Sequence, residues 1–375
     1  MPVASSRTLM FYLLLVLQLG LLALLLYGAG TVVRGYALYT GIKPGQHGFV
    51  GGLHQADPEL GYRLVAGASG YQLMSIGDPV PIHIDDLGFR VSSTASQSGE
   101  WSQRPLLMTF GCSFTFGDAV PAEQTYTSVS GEILGGRAVN AGVSGHGLAS
   151  MVIHARARVP EVRPRYLVVQ FSPWLVRRAL TEFAPARGWL APVPYYVDGA
   201  DAVEIVPPPF LARADRLDVD YFRSSPAGLL DFIRFSWQVS LPLYLHDDFN
   251  LLALRSKQWL GVVPKPASDP YRVIRSAYQE MADIARQNDA RLVVLMMSNA
   301  EGFNVEQGLF PADALLVNAE RALEQQLDDK TLSAYQWRYW QVRGNPPQII
   351  DEHPNALAHR IIAETLANAI RPTLR

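Results

Sequence analysis

The chain has 375 residues, of which 49% are hydrophobic and 18% charged, and its formal net charge is −2 at pH 7. A nearly neutral chain without a basic run or an arginine-rich stripe is not expected to bind nucleic acid. Its one cysteine, Cys112, excludes an internal disulfide and a cysteine-rich zinc site, and leaves the redox compartment open.

A long apolar segment opens the chain. Thr8–Val33 carries no charged side chain and lies between Arg7 and Arg34. A helix needs roughly 20 apolar residues to cross the hydrocarbon core of a bilayer, whereas a cleaved signal peptide has an apolar region of roughly 7 to 15. An uncleaved anchor is therefore favoured over a signal peptide and over a buried helix, and residues 1–33 are predicted to be a transmembrane anchor.

Basic residues stand on both sides of this segment, with Arg7 before it and Arg34 and Lys43 after it. Because an excess of Lys and Arg normally marks the cytoplasmic side, this distribution specifies the orientation poorly. The interpretation we favour is a single-pass protein of a bacterial inner membrane, whose body is extracytoplasmic and lies in the periplasm.

Residues 34–104 are rich in glycine and lack helical periodicity. Two segments, 57–73 and 80–93, place β-branched and aromatic residues between Gly, Pro and Asp, as short strands and turns do. We interpret residues 34–104 as a β-rich lead-in to the next domain rather than as an independent fold.

From Pro105 onward, apolar runs alternate with helical stretches, which predicts a parallel sheet with helices on both faces. The predicted strands are 105–111, 137–142, 165–173, 291–299 and 346–351. The predicted helices are 123–134, 147–159, 271–288 and 354–370. Residues 105–375 are therefore expected to form a three-layer α/β/α sandwich.

This rhythm breaks between residues 174 and 270, a segment rich in proline and aromatic residues and too long for one plain connection. One interpretation is an insertion that covers or shapes a site. The other is extra packing or a membrane-facing surface, and the sequence leaves both open.

Three short motifs carry residues suited to catalysis. In "GCSFTFGD", Ser113 follows a predicted strand at the start of a helix, where free N–H groups stabilise an oxyanion; the alternative is a helix N-cap. In "NAGVSGHG", Gly145 permits close approach of a backbone N–H, or serves only the turn. In "DEHPNALAH", Asp351 and His353 are expected to point to the same side of an extended stretch, so that Asp351 orients the imidazole; the alternative is a structural or capping role for His353.

The order of these motifs resembles the SGNH, or GDSL-type, hydrolase family over roughly residues 105–372, with the long middle insertion unmatched. Segments 57–64 and 84–90 are similar to the lead-in of membrane-linked bacterial members of that family. The resemblance implies a flavodoxin-like fold and an esterase or O-acyltransferase. No cofactor is expected, and no metal site is predicted because His146 and His154 have no Asp or Glu nearby at ligand spacing. The resemblance implies that Ser113 is the nucleophile and that His353 and Asp351 complete the triad. It also implies that the N–H groups of Ser113 and Gly145 form the oxyanion hole.

The chain departs from the family pattern in three places. Cys112 stands where the family has an aspartate before the serine, and the spacing of the last block leaves Glu352 as an alternative orienting acid. The family's asparagine after the third strand, an oxyanion donor, is absent, and Trp174 stands at or near its position. Asn140 or Trp174 is considered as the further donor.

These expectations combine into a membrane-anchored extracytoplasmic serine esterase. Its expected substrate is an acyl ester, acetyl in the first place, on a cell-envelope glycan or other polysaccharide. The alternatives are a glycan-binding or assembly protein of the same fold with little or no catalysis, and an O-acyltransferase that uses the same residues.

Overall fold

The computed structural model describes residues 6–41, 48–92, 104–184, 190–211, 228–305 and 308–374. Parts of the predicted lead-in and insertion lie outside the described residues, namely 42–47, 93–103, 185–189 and 212–227. The chain divides into two compact units. The helical unit comprises Met1–Pro44, Arg187–Trp189 and Tyr221–Ala253, and the α/β unit comprises Gly45–Ala186, Leu190–Asp220 and Leu254–Arg375.

The described helices and strands are as follows. The helices are α1 (Ser6–Gly41), α2 (Ser113–Phe116), α3 (Tyr126–Leu134), α4 (Leu148–Val162), α5 (Pro173–Ala179), α6 (Leu229–Phe235), α7 (Leu241–Trp259), α8 (Pro270–Gln287), α9 (Ala319–Gln325), α10 (Leu332–Tyr339) and α11 (Ala356–Ile370). The strands are β1 (Gly48–Val50), β2 (His54–Asp57), β3 (Gly61–Leu64), β4 (Ser69–Leu73), β5 (Val80–Ile84), β6 (Arg90–Val91), β7 (Leu107–Phe110), β8 (Ala138–Asn140), β9 (Tyr166–Phe171), β10 (Phe183–Ala184), β11 (Ala191–Pro192), β12 (Tyr195–Asp198), β13 (Val203–Val206), β14 (Arg291–Met296), β15 (Leu315–Asn318), β16 (Gln341–Arg343) and β17 (Gln348–Asp351).

In the helical unit, α1 confirms the predicted N-terminal apolar helix and continues beyond Val33 to Gly41. Its segment Arg7–Tyr39 is long and apolar enough to cross a membrane, with a mean hydropathy of 2.6 in a window that is not buried in the protein. A signal sequence shares this length and composition. The unit also holds α6, a π-helical turn at Ser236–Ser240 and most of α7.

The α/β unit is built on a nine-stranded sheet with the order β1-β4-β5-β6-β8-β7-β9-β14-β15. The last five strands in that order are parallel. Numbered along the chain, the parallel strands lie in the order 2-1-3-4-5, which is that of the flavodoxin-like doubly wound fold. The predicted fold class is therefore confirmed.

Helices cover both faces of the sheet. Helices α4 and α8 supply one apolar cluster, including Val152 and Met281, while α3, α9 and α11 supply the other, including Leu323 and Ile362. Every residue of β7 and β9 is buried, which explains their uninterrupted apolar sequences. Helix α8 begins where predicted because Asp269 caps it, accepting a hydrogen bond from the Tyr271 N–H at 2.8 Å.

The lead-in strands extend the same sheet instead of forming a separate one. β1, β4, β5 and β6 pair antiparallel, and β6 joins the parallel part through the pair Arg90–Asn140. β2 and β3 form a hairpin outside the sheet. This continuity places Arg90 beside the turns that follow the first two parallel strands.

The fifth strand of the sheet differs from the prediction. Residues 346–351 contain a strand, β17, but it pairs antiparallel with β16 in a separate hairpin. The fifth parallel strand is β15, Leu315–Asn318. This strand is short and lies at the edge of the sheet, and only one of its four residues is buried, so its sequence lacks the long apolar run of a central strand.

Candidate active site

The first turn places Ser113 directly after a buried strand. β7 ends at Phe110, Cys112 occupies the N-cap position of α2, and Ser113 is the first helical residue. The Ser113 Oγ lies 3.8 Å from the Cys112 Sγ, and the residue is 7% exposed. The Ser113 N–H makes no hydrogen bond to any residue that the structure describes, so this donor is available to a ligand.

The second turn, after β8, contains Gly145 at φ +85°, a left-handed conformation that favours glycine. A Cβ at this position would lie 2.2 Å from the hydroxyl oxygen of Tyr62, which donates a hydrogen bond to the Ser144 carbonyl at 2.8 Å. The Gly145 N–H also has no partner among the described residues. The turn therefore offers a second backbone donor that a larger residue would displace.

Asn140 joins these two turns. Its amide donates to the Thr115 carbonyl at 2.8 Å, and its carbonyl oxygen accepts from the Gly142 N–H at 3.0 Å. The Val143 N–H adds a bond to the Gly111 carbonyl at 3.1 Å. Asn140, which the sequence offered as an oxyanion donor, thus uses its amide to hold the turns together.

The last motif forms a close acid–imidazole pair. The Nδ1 atom of His353 lies 2.5 Å from Asp351 Oδ1, and the His353 N–H donates to the same oxygen at 2.7 Å. The imidazole lies over the Ser113 turn, where its ring centroid is 5.5 Å from that of Phe114. Glu352, the alternative orienting acid, is exposed, so the acid at Nδ1 is Asp351.

The Nε2 side of the imidazole meets a second carboxylate, that of Asp118, which the motifs did not place in the site. Asp118 is 6% exposed, and its Oδ2 lies 3.8 Å from His353 Nε2. Ser144 donates a hydrogen bond to its other oxygen. Within the described part of the chain, no hydrogen bond joins Ser113 Oγ to His353. The only sequence signal for Asp118 was an acid within the apolar segment FGDAV.

These two carboxylates decide the charge of His353. Burial alone would lower the pKa of the imidazole, but the charge of Asp118 and the hydrogen bond to Asp351 outweigh it and raise the pKa to about 9. His353 is therefore an imidazolium at neutral pH in this arrangement. Burial raises the pKa of Asp118, and the nearby His353 and the Ser144 hydroxyl oppose that rise.

Trp174 directs its single N–H to sulfur. The indole Nε1 donates to Cys112 Sγ at 3.3 Å, and the ring packs on Phe114 at a centroid distance of 4.9 Å. Burial would raise the pKa of the Cys112 thiol, but the charge of Arg178 and N–H donors that include the Trp174 indole hold it below its ordinary value. Because an indole has no other donor, the side-chain N–H of Trp174 is occupied by the Cys112 sulfur.

Arg90, from the lead-in, holds the turn that follows Ser113. Its buried guanidinium donates three hydrogen bonds of 2.6 Å, to the carbonyls of Phe116, Gly117 and Val120. Burial lowers its pKa to about 10, so the group remains a cation at neutral pH. The lead-in therefore fixes the backbone that carries Asp118.

Replacing Arg90 by methionine is expected to lower the free energy of unfolding by about 3 to 5 kcal/mol, because three buried carbonyls each lose a short hydrogen bond to a cation. Urea unfolding of the full chain in detergent, followed by tryptophan fluorescence, measures this loss. The matched control is Arg360→Met on α11, whose side chain is 71% exposed, with an expected change within about 0.5 kcal/mol. Equal effects of the two substitutions would contradict the role given to Arg90.

The other polar side chains that were considered for a functional site do not meet at one place. Arg177 pairs with Glu301 at 3.1 Å, and Arg178 donates to the His146 carbonyl at 3.3 Å. His146 and His154 are near each other, with ring centroids 6.4 Å apart. Among the described residues, no group of three or more His, Cys, Asp or Glu side chains is placed to hold a metal ion.

No protein-family model and no curated protein matches the chain. Several solved structures are similar to the chain, including the following three. TesA is 12% identical, with a TM-score of 0.34 over 72% of this chain and 99% of its own. A protein assigned to the G-D-S-L lipolytic family from Desulfitobacterium hafniense DCB-2 is 10% identical, with a TM-score of 0.34 over 71% and 99%. A carbohydrate esterase family 2 enzyme with a carbohydrate-binding domain, from Corynascus thermopiles (Myceliophthora fergusii), is 11% identical, with a TM-score of 0.33 over 88% and 89%.

Proposed function

We propose that the chain is a membrane-anchored serine esterase that removes O-acyl groups, acetyl groups in the first place, from substrates outside the cytoplasm. The observation that carries the proposal is the contact of the Asp351–His353 pair with the turn of Ser113, where the His353 ring lies 5.5 Å from that of Phe114. The N–H groups of Ser113 and Gly145, which have no partner among the described residues, are the proposed anion site. These groups are a nucleophile, an anion site, and a base with its orienting acid. A cell-envelope glycan is the proposed acyl carrier, because it is an abundant polyol at the location proposed for the body.

In the proposed reaction, Ser113 Oγ attacks the acyl carbonyl carbon and its proton passes to His353 Nε2. The resulting oxyanion accepts hydrogen bonds from the N–H groups of Ser113 and Gly145. The carbon–oxygen bond to the alcohol then breaks, and the alcohol leaves with the proton held by His353. Water repeats the sequence on the acyl-serine, and the carboxylic acid and free Ser113 are released.

Before the first step, the Ser113 hydroxyl must rotate and the His353 imidazolium must lose a proton. The Ser113 hydroxyl faces Cys112 sulfur, and rotation about its Cα–Cβ bond turns Oγ toward the imidazole. His353 must also lose its proton, because an imidazolium between two carboxylates cannot act as a base. The free enzyme is therefore proposed to rest in a protonated state that deprotonation activates.

The proposal makes the rate depend on pH in a definite direction. Because the pKa of His353 is raised to about 9, the neutral imidazole becomes dominant only above that pH. Hydrolysis of 4-nitrophenyl acetate by the full chain in detergent is expected to rise with pH through this region, after subtraction of the buffer rate. Asp118→Asn removes a charge that raises this pKa, so the acid limb of kcat/KM is expected to move to lower pH.

The matched control for Asp118→Asn is Asp283→Asn, which removes an exposed carboxylate on α8 and is expected to leave the profile in place. Asparagine can still accept the hydrogen bond from Ser144, so the fold of the turn is kept. If the acid limb of kcat/KM in Asp118→Asn does not shift, or shifts to higher pH, Asp118 does not set the protonation state of His353.

A second candidate function is a glycan-binding or assembly protein with little or no turnover. Two observations favour it: Ser113 and His353 share no hydrogen bond in the described structure, and Trp174 and Asn140 give their N–H groups to other acceptors. Loss of one oxyanion donor costs on the order of 100- to 1000-fold in rate.

Transfer of the acyl group to a sugar uses the same residues, and analysis of the products with a supplied acceptor separates it from hydrolysis.

A further inference from the structure

The helical unit exposes a second apolar surface besides that of α1. From α6 through the π-helical turn into α7, six large apolar side chains recur at spacings typical of one helix face. They are Leu230, Ile233, Trp237, Leu245, Phe249 and Leu252, and we call them the outer stripe. Each is between 48% and 82% exposed. An exposed apolar row of this length marks a surface that binds something apolar.

The opposite face of this segment packs on the C-terminal part of α1. The Tyr39 ring lies 5.5 Å from Phe232 and 5.1 Å from Phe235. A Cβ on Gly35 would lie 2.9 Å from Ser240 Oγ, so the absence of a side chain at this position lets the helices approach closely. The outer stripe therefore belongs to a helix pair of which α1 is one member.

A neutralised charge pair joins the same two helices. The Arg34 guanidinium donates to both oxygens of Asp248, at 3.1 and 2.7 Å, and Tyr27 donates to the same carboxylate at 2.8 Å. The Arg34 guanidinium also lies 4.3 Å from the centroid of the Tyr244 ring. Paired charges and tyrosines of this kind suit the boundary between headgroups and hydrocarbon.

The length of α1 sets the depth of this pair. Its charge-free stretch is Thr8–Val33, whereas roughly 20 residues span the hydrocarbon core. If the span begins near Leu9, the core ends close to Tyr27, where the contacts with the second segment start. The contacts run antiparallel along α1, from Tyr27 with Asp248 to Tyr39 with Phe232. The Phe249 end of the outer stripe therefore lies at that boundary of the core, and its Ile233 end lies about 18 Å farther out along the axis of α1.

We infer that the outer stripe binds the lipid bilayer, with its α7 end at the boundary between headgroups and hydrocarbon and its α6 end in the headgroup region, so that α6 and α7 form a second membrane-contacting element beside the anchor. This inference rests on the membrane anchoring proposed above. Interfacial helices typically carry Trp, Phe and Leu on the lipid side, as this stripe does. The chain thus contacts the membrane through two segments that are about 190 residues apart in sequence.

Spin-label accessibility of the full chain in phosphatidylethanolamine–phosphatidylglycerol nanodiscs tests the inference. Single variants Ile233→Cys, Trp237→Cys and Phe249→Cys report on the stripe. Leu17→Cys, in α1, reports on the anchor, and Arg360→Cys, on α11, is the aqueous control. The native Cys112 is buried, so the unsubstituted chain provides the blank.

The stripe labels are expected to be more accessible to oxygen than to a water-soluble nickel complex, with a ratio that is highest at Phe249, lowest at Ile233, and at Phe249 at least several-fold above that at Arg360. Nickel accessibility equal to that at Arg360, with Leu17 in lipid, would overturn the inference and leave the anchor standing. Nickel accessibility at both the stripe and Leu17 would overturn the anchor as well. Labels shielded from both reagents would show a protein partner, such as a second copy, and would also overturn the inference.

Discussion

Replacing Ser113 by alanine is expected to lower kcat/KM for 4-nitrophenyl acetate by about 10³- to 10⁶-fold, because the attacking oxygen is lost and only binding and the oxyanion donors remain. The measurement is hydrolysis by the full chain in detergent, above pH 9, where His353 is neutral. Alanine fits the position of a serine that is 7% exposed, so the fold is expected to persist. Unfolding in urea provides the check on stability.

The matched control is Ser268→Ala, which removes an exposed serine hydroxyl whose contact with Asp198 is long, at 3.4 Å. Its rate is expected to stay within about twofold of the unsubstituted chain, as is usual for surface changes. Hydrolysis that survives in Ser113→Ala at a tenth or more of the original rate would assign the activity to another group.

Replacing Asp351 by asparagine is expected to lower kcat by about 10³- to 10⁴-fold. The Asp351 carboxylate accepts hydrogen bonds from both the Nδ1 side and the backbone N–H of His353. An amide can instead donate to Nδ1, which places the proton on Nε2 and removes the base. The same assay, with kcat and KM determined separately, is expected to show most of the loss in kcat.

Glu352→Gln is the control for this substitution, since Glu352 is the neighbouring acid and is exposed. Its kcat is expected to be unchanged within about twofold. The reverse result, a large loss with Glu352→Gln and a small one with Asp351→Asn, would give the orienting role to Glu352 and contradict the geometry of the pair.

The central strands and helices could be predicted from the sequence because their signals are local. β9 and β14 are long apolar runs, and α8 combines a capping aspartate, a proline at its first position and a clear apolar stripe. The Asp351–His353 contact could also be predicted from the sequence, because residues two apart in an extended segment face the same side.

The remaining parts of the site depend on contacts that are distant in sequence. Asp118 meets His353 only after the fold brings together positions 235 residues apart. Arg90 reaches its three carbonyls because β6 pairs with β8, and no local pattern signals that pairing. The bond from Trp174 to Cys112 sulfur likewise joins two turns that the sequence places far apart.

Labelling with a fluorophosphonate probe tests the central claim most directly, since this reagent forms a covalent bond with an activated serine. The full chain, incubated above pH 9, is expected to gain one phosphonyl group, and peptide mass spectrometry is expected to locate it on Ser113. Ser113→Ala is expected to remain unlabelled and Ser268→Ala to label fully. A chain that stays unmodified while folded, or carries the adduct on another residue, would contradict the account.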